Sequence, residues 1–206
     1  MGVRDDNRAA VTARILAAAR AEIAERGGVG LSMRAVARDA GLTSSAIYRY
    51  FPTREALITA MVIESYGNLD AALRGNADWA SLCHAARDWA RRSVNEFQLI
   101  YGTPIPGYVA PPETIPVAER VAAHFLAAGG SREVEGFSSP TLRAQLALVE
   151  GPGVTSSGAA AVLAELAAMV GFISMELAGH FVGTVDPADA LYDAMVSRQL
   201  GTLGLH

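Results

Sequence analysis

Lysine is missing from this 206-residue chain, so all 17 Lys/Arg positions are arginine. A GC-rich genome would produce that bias as readily as any function would. Cysteine is nearly missing as well. A single residue, Cys83, excludes an internal disulfide framework and any CxxC zinc or redox site. Charged residues make up only 18 % of the chain against 51 % apolar, which excludes a disordered polymer and allows a sizeable core. No apolar run is long and unbroken: residues 159–182 are interrupted by Glu165, Glu176 and His180, and the opening MGVRDDNRAA is polar. Neither a membrane span nor a signal segment is predicted, and the expected location is the cytoplasm.

Catalytic signatures are also lacking. GxSxG, HExxH and GxxxxGK[ST] patterns do not occur. Cys83 and His84 are adjacent, while His84, His124 and His180 lie far apart without ligand spacing, so no metal site is expected. The run Gly27-Gly28-Val29-Gly30 follows a helical pattern and reads as a helix stop rather than a dinucleotide loop. No enzyme activity and no cofactor are expected.

Charge is distributed unevenly. Residues 1–60 carry nine arginines against six acids, a net of +3, and residues 61–206 carry eight against fifteen, a net of −7. One end is therefore suited to a polyanion if its arginines fall on an element that can enter a groove.

Helical periodicity dominates and no useful strand alternation is present. Val11, Ile15, Ala19 and Ile23 share one face of a helix expected over Asn7–Arg26, ended by Gly27-Gly28. In LSMRAVARDAGLTSSAIYRYF (31–51), Ser32 caps a short helix, and Leu31 with Val36 forms a hydrophobic staple. The arrangement then repeats with Thr43 as cap and Leu42 with Ile47 as staple, and Gly41 supplies the reversal between. Two capped helices joined by a glycine turn predict a helix-turn-helix. Its second helix, Ser44–Phe51, buries Ile47 and Phe51 and turns Ser44, Ser45, Tyr48 and Arg49 outward. Hydroxyls and guanidinium suit phosphates and base edges. Arg34, Arg38 and Arg54 add positive charge nearby.

Further helices are expected from Thr53 to near Gly75, from Asp78 through Leu82, Trp89 and Phe97 to Ile100, and at about 116–128, 140–149, 158–182 and 187–203. Asp186-Pro187 serves as cap and first helical residue of the last. Five prolines make 102–116 a stiff loop. Leu163, Leu166, Val170, Ile173 and Leu177 form a seam along 158–182, beside a stripe of small residues from Ala160 to Ala178. With Tyr192 and Val196 they mark either one ordinary buried helix or, given a second subunit, the candidate dimer interface. Trp89, Phe97, Tyr101, Phe125 and Phe172 are the candidate lining of a cavity for a largely apolar or aromatic ligand.

The segment 31–61 resembles the DNA-binding signature of the TetR/AcrR family of transcriptional regulators. Leu31-Ser32, Val36-Ala37, Gly41, Ile47-Tyr48, Phe51, Arg54-Glu55 and Leu57 carry the likeness, with Ile15-Leu16, Ala18-Ala19 and Gly27 before them. The resemblance implies an all-α homodimer. A three-helix helix-turn-helix domain (1–52) would bind double-stranded operator DNA, and a larger helical domain (53–206) would bind a small-molecule effector and dimerise. It places Ser32 and Arg34 near phosphates, Ser44, Ser45 and Arg49 on the base-reading face, and Tyr48 and Arg54 on the backbone, with Thr43 as cap and possible phosphate contact. The implied function is a ligand-released repressor. The alternative is a helical small-molecule-binding or scaffold protein without operator function.

Overall fold

The computed structural model describes residues 3–27, 30–147, 149 and 153–205. Among these residues every regular element is helical and no strand forms, so the architecture is all-α. The first helix, α1 (Val3–Arg26), starts a turn earlier than the apolar pattern predicts. Asp5 and Asp6 in its first turn and Arg26 in its last complement the helix dipole. It ends on Gly27 at a φ of +69°, while Gly28, expected to share that role, lies outside the described residues. Then come α2 (Met33–Asp39), a 3-10 turn (Ile47–Arg49), α3 (Arg54–Leu73), α4 (Trp79–Arg92) and α5 (Val94–Tyr101). A second 3-10 turn (Pro112–Thr114) precedes α6 (Ile115–Gly129), α7 (Pro140–Leu146), α8 (Ser156–Leu177) and α9 (Asp189–Thr202).

Four further boundaries depart from expectation. The helix expected from Asp78 to Ile100 breaks at Ser93, whose φ of −129° and ψ of 49° leave the helical region, giving α4 and α5. Helix α7 stops at Leu146 rather than 149, and residue 148 lies outside the described residues. Helix α8 stops at Leu177 rather than 182. Gly179 takes a φ of +77°, and amides of Gly179 and His180 return to the carbonyls of Glu176 and Met175, a Schellman closure. Helix α9 begins at Asp189 and not at Pro187, because the buried Ala188 accepts its first bond, from the Tyr192 amide at 2.9 Å.

The chain divides into two compact units. The first comprises residues up to Gly67 together with Asn95–Pro116. Its core gathers Val11, Ile15 and Ala19 of α1, Val36 and Ala37 of α2, Ile47, Phe51, and Leu57, Ile58 and Met61 of α3. The proline-rich segment belongs here: Ile105 and Tyr108 pack on that core, and the Tyr108 hydroxyl lies 3.1 Å from that of Thr59.

The second unit comprises Asn68–Val94 and the chain from Val117 onward. Helix α4 packs on α8 and α9, and α7 on α8. Where the start of α8 passes the end of α6, a Cβ on Gly158 would stand 2.3 Å from the Gly130 carbonyl oxygen, so only glycine fits. Gln199 and Arg87 of this unit are buried and matched. The Gln199 side chain accepts from the Trp79 indole at 3.0 Å and donates to the Glu165 carbonyl at 2.9 Å. Arg87 is buried and holds Glu176 through two bonds and Asp189 through one. Helix α8 is long and apolar enough to cross a membrane by length and composition. Its apolarity serves a core: Val162, Met169, Phe172 and Ile173 are buried within the chain.

Asp70, buried on α3, accepts from His124 of α6 at 2.8 Å and from Arg74 at 2.7 Å. These bonds, His124 first, hold its carboxyl below the usual carboxylate range. A depressed native pKa stabilises the fold at pH values above the unfolded-state pKa, and that contribution fades as pH falls through the native value. The expected outcome for Asp70→Asn is a loss of roughly 1–3 kcal/mol at pH 7 in urea unfolding, from breaking a buried charged hydrogen bond. The gap to the native chain should narrow below about pH 4; a pH-independent gap would show that the ionised form contributes nothing.

Candidate nucleic-acid interface

The site is built from the turn outward. Ser32 caps α2 by accepting from the Ala35 amide at 3.4 Å, and Leu31 and Val36 are both buried in the core beneath it. At the other end of α2, Gly41 adopts a φ of +69°. Its amide bonds the Arg38 carbonyl at 3.0 Å, and that of Leu42 bonds the Ala37 carbonyl at 2.8 Å. These two bonds are a Schellman motif, which uses carbonyls left open by the helix end and reverses the chain within two residues.

Thr43 caps the recognition segment by accepting from the Ala46 amide at 3.3 Å. The expected α-helix over Ser44–Phe51 is not formed. Ser44–Ala46 make a turn and Ile47–Arg49 a single 3-10 turn, with Tyr50 and Phe51 both bonding back to the Ile47 carbonyl at 2.9 Å. So short an element cannot pay for its own order. Ile47, fully buried, and Phe51 hold it down.

The outward set is as expected. Thr43, Ser44, Ser45 and Arg49 are exposed, and Tyr48 is 49 % exposed, which is unusual for so large a ring. The hydroxyls of Thr43 and Ser45 lie 3.3 Å apart. Arg34 is exposed on α2. Arg54 is half-buried, and its Nε donates to the Leu31 carbonyl at 3.2 Å, tying the start of α3 to the entry of α2. Arg38 is drawn aside by Asp39 at 2.8 Å. Two residues outside the expected set stand at the edge of this surface: the Arg8 guanidinium lies over the Tyr50 ring, 5.3 Å from its centroid. They are remote in the chain, and no local pattern could have paired them.

The five candidate cavity residues are drawn from both units. Phe97 and Tyr101 belong to the first unit, their rings 5.4 Å apart, with Tyr66 at 6.2 Å from Tyr101. Trp89, Phe125 and Phe172 belong to the second, where Phe125 meets Trp79 at 5.5 Å and Phe172 meets Tyr192 at 5.1 Å. A cavity of about 250 Å³ is lined by other residues, Glu133, Ser138, Arg143 and Val154–Ser157, and its walls are polar. Burial pushes the Cys83 thiol up to about 12, leaving it inert as a nucleophile.

The candidate dimer residues also divide. Ile173, Tyr192 and Val196 are buried inside the single chain, so they offer no face to a second copy. Of the seam along α8, only Ile173 is taken up wholly inside the chain. Leu166, Val170 and Leu177 are half-buried, and Leu163 is exposed. The small-residue stripe beside them, Ala164, Ala167, Gly171 and Ala178, is open.

Two family models match the chain: "Bacterial regulatory proteins, tetR family" over residues 15–61, and "Tetracyclin repressor-like, C-terminal domain" over residues 79–199. HTH-type transcriptional regulators of Mycobacterium tuberculosis and Mycobacterium bovis are 38 % identical over 136 residues, covering 61 % of this chain. The chain spans 58 % of the length of those relatives. The crystal structure of SCO4313, described as a regulatory protein, superposes with a TM-score of 0.84 at 31 % identity, covering 97 % of this chain and all of that one. The TetR-family regulator PfmR of Thermus thermophilus shares the fold, with a TM-score of 0.54 at 18 % identity, covering 89 % and 97 % of the two chains. Regulators of transcription, not enzymes, are what these matches describe.

At Gly41 a Cβ would meet open space, so only the positive φ opposes substitution. Gly41→Ala should therefore lower unfolding stability by about 1–2 kcal/mol through backbone strain alone. An unchanged urea midpoint would mean that the turn relaxes to another conformation.

Proposed function

Because this chain belongs to the TetR family of bacterial transcriptional regulators, we propose that it acts as a ligand-released repressor that binds palindromic operator DNA as a homodimer in the cytoplasm. The observation that carries this reading is the display on one anchored turn of Thr43, Ser44, Ser45, Tyr48 and Arg49, all exposed and all donors or acceptors suited to a major groove. Ser44, Ser45 and Arg49 read base edges; Tyr48, Ser32, Arg34 and Arg54 contact the backbone.

Two copies are needed to read two half-sites. The exposed side of α8, with Leu163, Ala164, Ala167, Gly171 and Met175, is apolar and has small residues that let a second helix approach closely. Leu191 on α9 is exposed as well. These residues, with Leu166, Val170 and Leu177, are the proposed interface. Residues 53–206 are the proposed regulatory and dimerisation part, taking a small, largely apolar or aromatic effector near one of the aromatic groups. Helix α3 supplies residues to both compact units, and it is the proposed route from effector to DNA-facing turn. An effector works here only through its different affinity for the two states, a coupling of about 1–3 kcal/mol.

Binding measured by anisotropy on a selected duplex and a scrambled one tests the assignments. Arg49→Ala should erase most of the preference between the two, by roughly 1–3 kcal/mol. Arg54→Ala should weaken both alike and flatten the salt dependence by about 0.9 per bound subunit. Reversed patterns would exchange the two roles. Light scattering tests the interface: Leu163→Asp should shift the chain from dimer to monomer, and a wild-type chain that is already monomeric would remove it.

A further inference from the structure

Several arginines of the first unit are held by partners within the chain. Arg20, Arg26 and Arg38 are engaged by the carboxylates of Glu64, Glu22 and Asp39. Arg8, Arg14, Arg34 and Arg49 enter no ion pair among the described residues. Arg34 and Arg49 already sit on the helix-turn-helix. Arg8 sits on α1, yet its guanidinium lies over the ring of Tyr50, the residue that directly follows Arg49.

We propose that Arg8, seated on Tyr50, is an additional phosphate-contacting residue of the DNA-binding surface, an inference that rests on the operator-binding reading above. The geometry favours an anion as the missing partner. A cation–π contact at 5.3 Å uses none of the guanidinium N–H donors in a hydrogen bond within the described residues, and they stay open to a phosphate oxygen pair. Tyr50 is half-buried and packs on the core that anchors Ile47 and Phe51, so the ring is a fixed platform. The stack thereby narrows the positions open to a long, exposed side chain and keeps its charge at the end of the recognition turn. A phosphate contact made there sets how the duplex lies on the turn and carries no base information.

The test uses the full chain, a duplex obtained by in vitro selection, a scrambled duplex, and a series of salt concentrations. Arg8→Ala, a change at an exposed position, should weaken binding to both duplexes several-fold and reduce the slope of log K against log salt by about 0.9 per bound copy. Tyr50→Phe keeps the ring and should match the native chain. Tyr50→Leu should weaken binding in the same way, and combining it with Arg8→Ala should add nothing. Arg8→Ala with native affinity and slope, while Arg49→Ala loses discrimination, would overturn the role of Arg8 and leave the operator reading standing. A loss confined to the selected duplex would also overturn it, since a phosphate contact cannot choose among sequences. A native chain with no salt-dependent binding to any duplex would overturn both.

Discussion

The DNA-facing surface of this protein depends on the burial of one side chain, Ile47. The 3-10 turn that carries Tyr48 and Arg49 has three residues and too few internal bonds to persist in water. Sinking Ile47 completely, and Phe51 nearly so, among α1, α2 and α3 contributes about 1.5–3 kcal/mol for each side chain. That burial also decides direction. With Ile47 pinned inward, the residues beside it in the turn point the other way, which is why a ring as large as that of Tyr48 remains half in solvent.

The segments on either side make that burial possible. Gly41 reverses the chain without Cβ strain, and Leu31, Val36 and Leu42 meet the same core from the neighbouring turn and helix. Arg54 adds a link by bonding the Leu31 carbonyl, so the entry of α2 and the start of α3 are held together. Each device is small, and all of them lead to the same pose. Local preference and tertiary burial agree here, which is the condition for a single well-defined structure.

The second unit solves a different problem: how to bury charge. Arg87 lies in the interior with Glu176 and Asp189 as partners and the Tyr192 ring 4.7 Å from its guanidinium carbon. Glu165 is buried on α8 and meets Arg198 of α9 through two bonds. A buried charge left alone would be costly, and Arg87 and Glu165 each meet a counter-charge on a neighbouring helix. They also assign the two sides of α8. The side carrying Glu165, Met169 and Phe172 is taken up within the chain, and the side carrying Leu163 and Ala167 is left open.

Much of this was legible in the sequence because it is local. The caps at Ser32 and Thr43, the glycine turn, the inward Ile47 and Phe51 and the outward hydroxyls all depend on residues within a few positions of one another. The elements were legible for the same reason, apart from the recognition segment, which is a 3-10 turn and not an α-helix, the break at Ser93, the early stops of α7 and α8 and the later start of α9. Partnership across the chain was not. The seam of α8 signals an apolar contact without saying with what, and only the folded chain turned Ile173, Tyr192 and Val196 to its own interior. Aromatic spacing says that Phe97 and Phe172 are buried but not that they belong to different units. The stack of Arg8 on Tyr50, and the bond of Asp70 to His124, join helices that periodicity treats separately. A sequence encodes which face of each helix is apolar; which other face covers it is decided only when all the helices compete for the same buried volume.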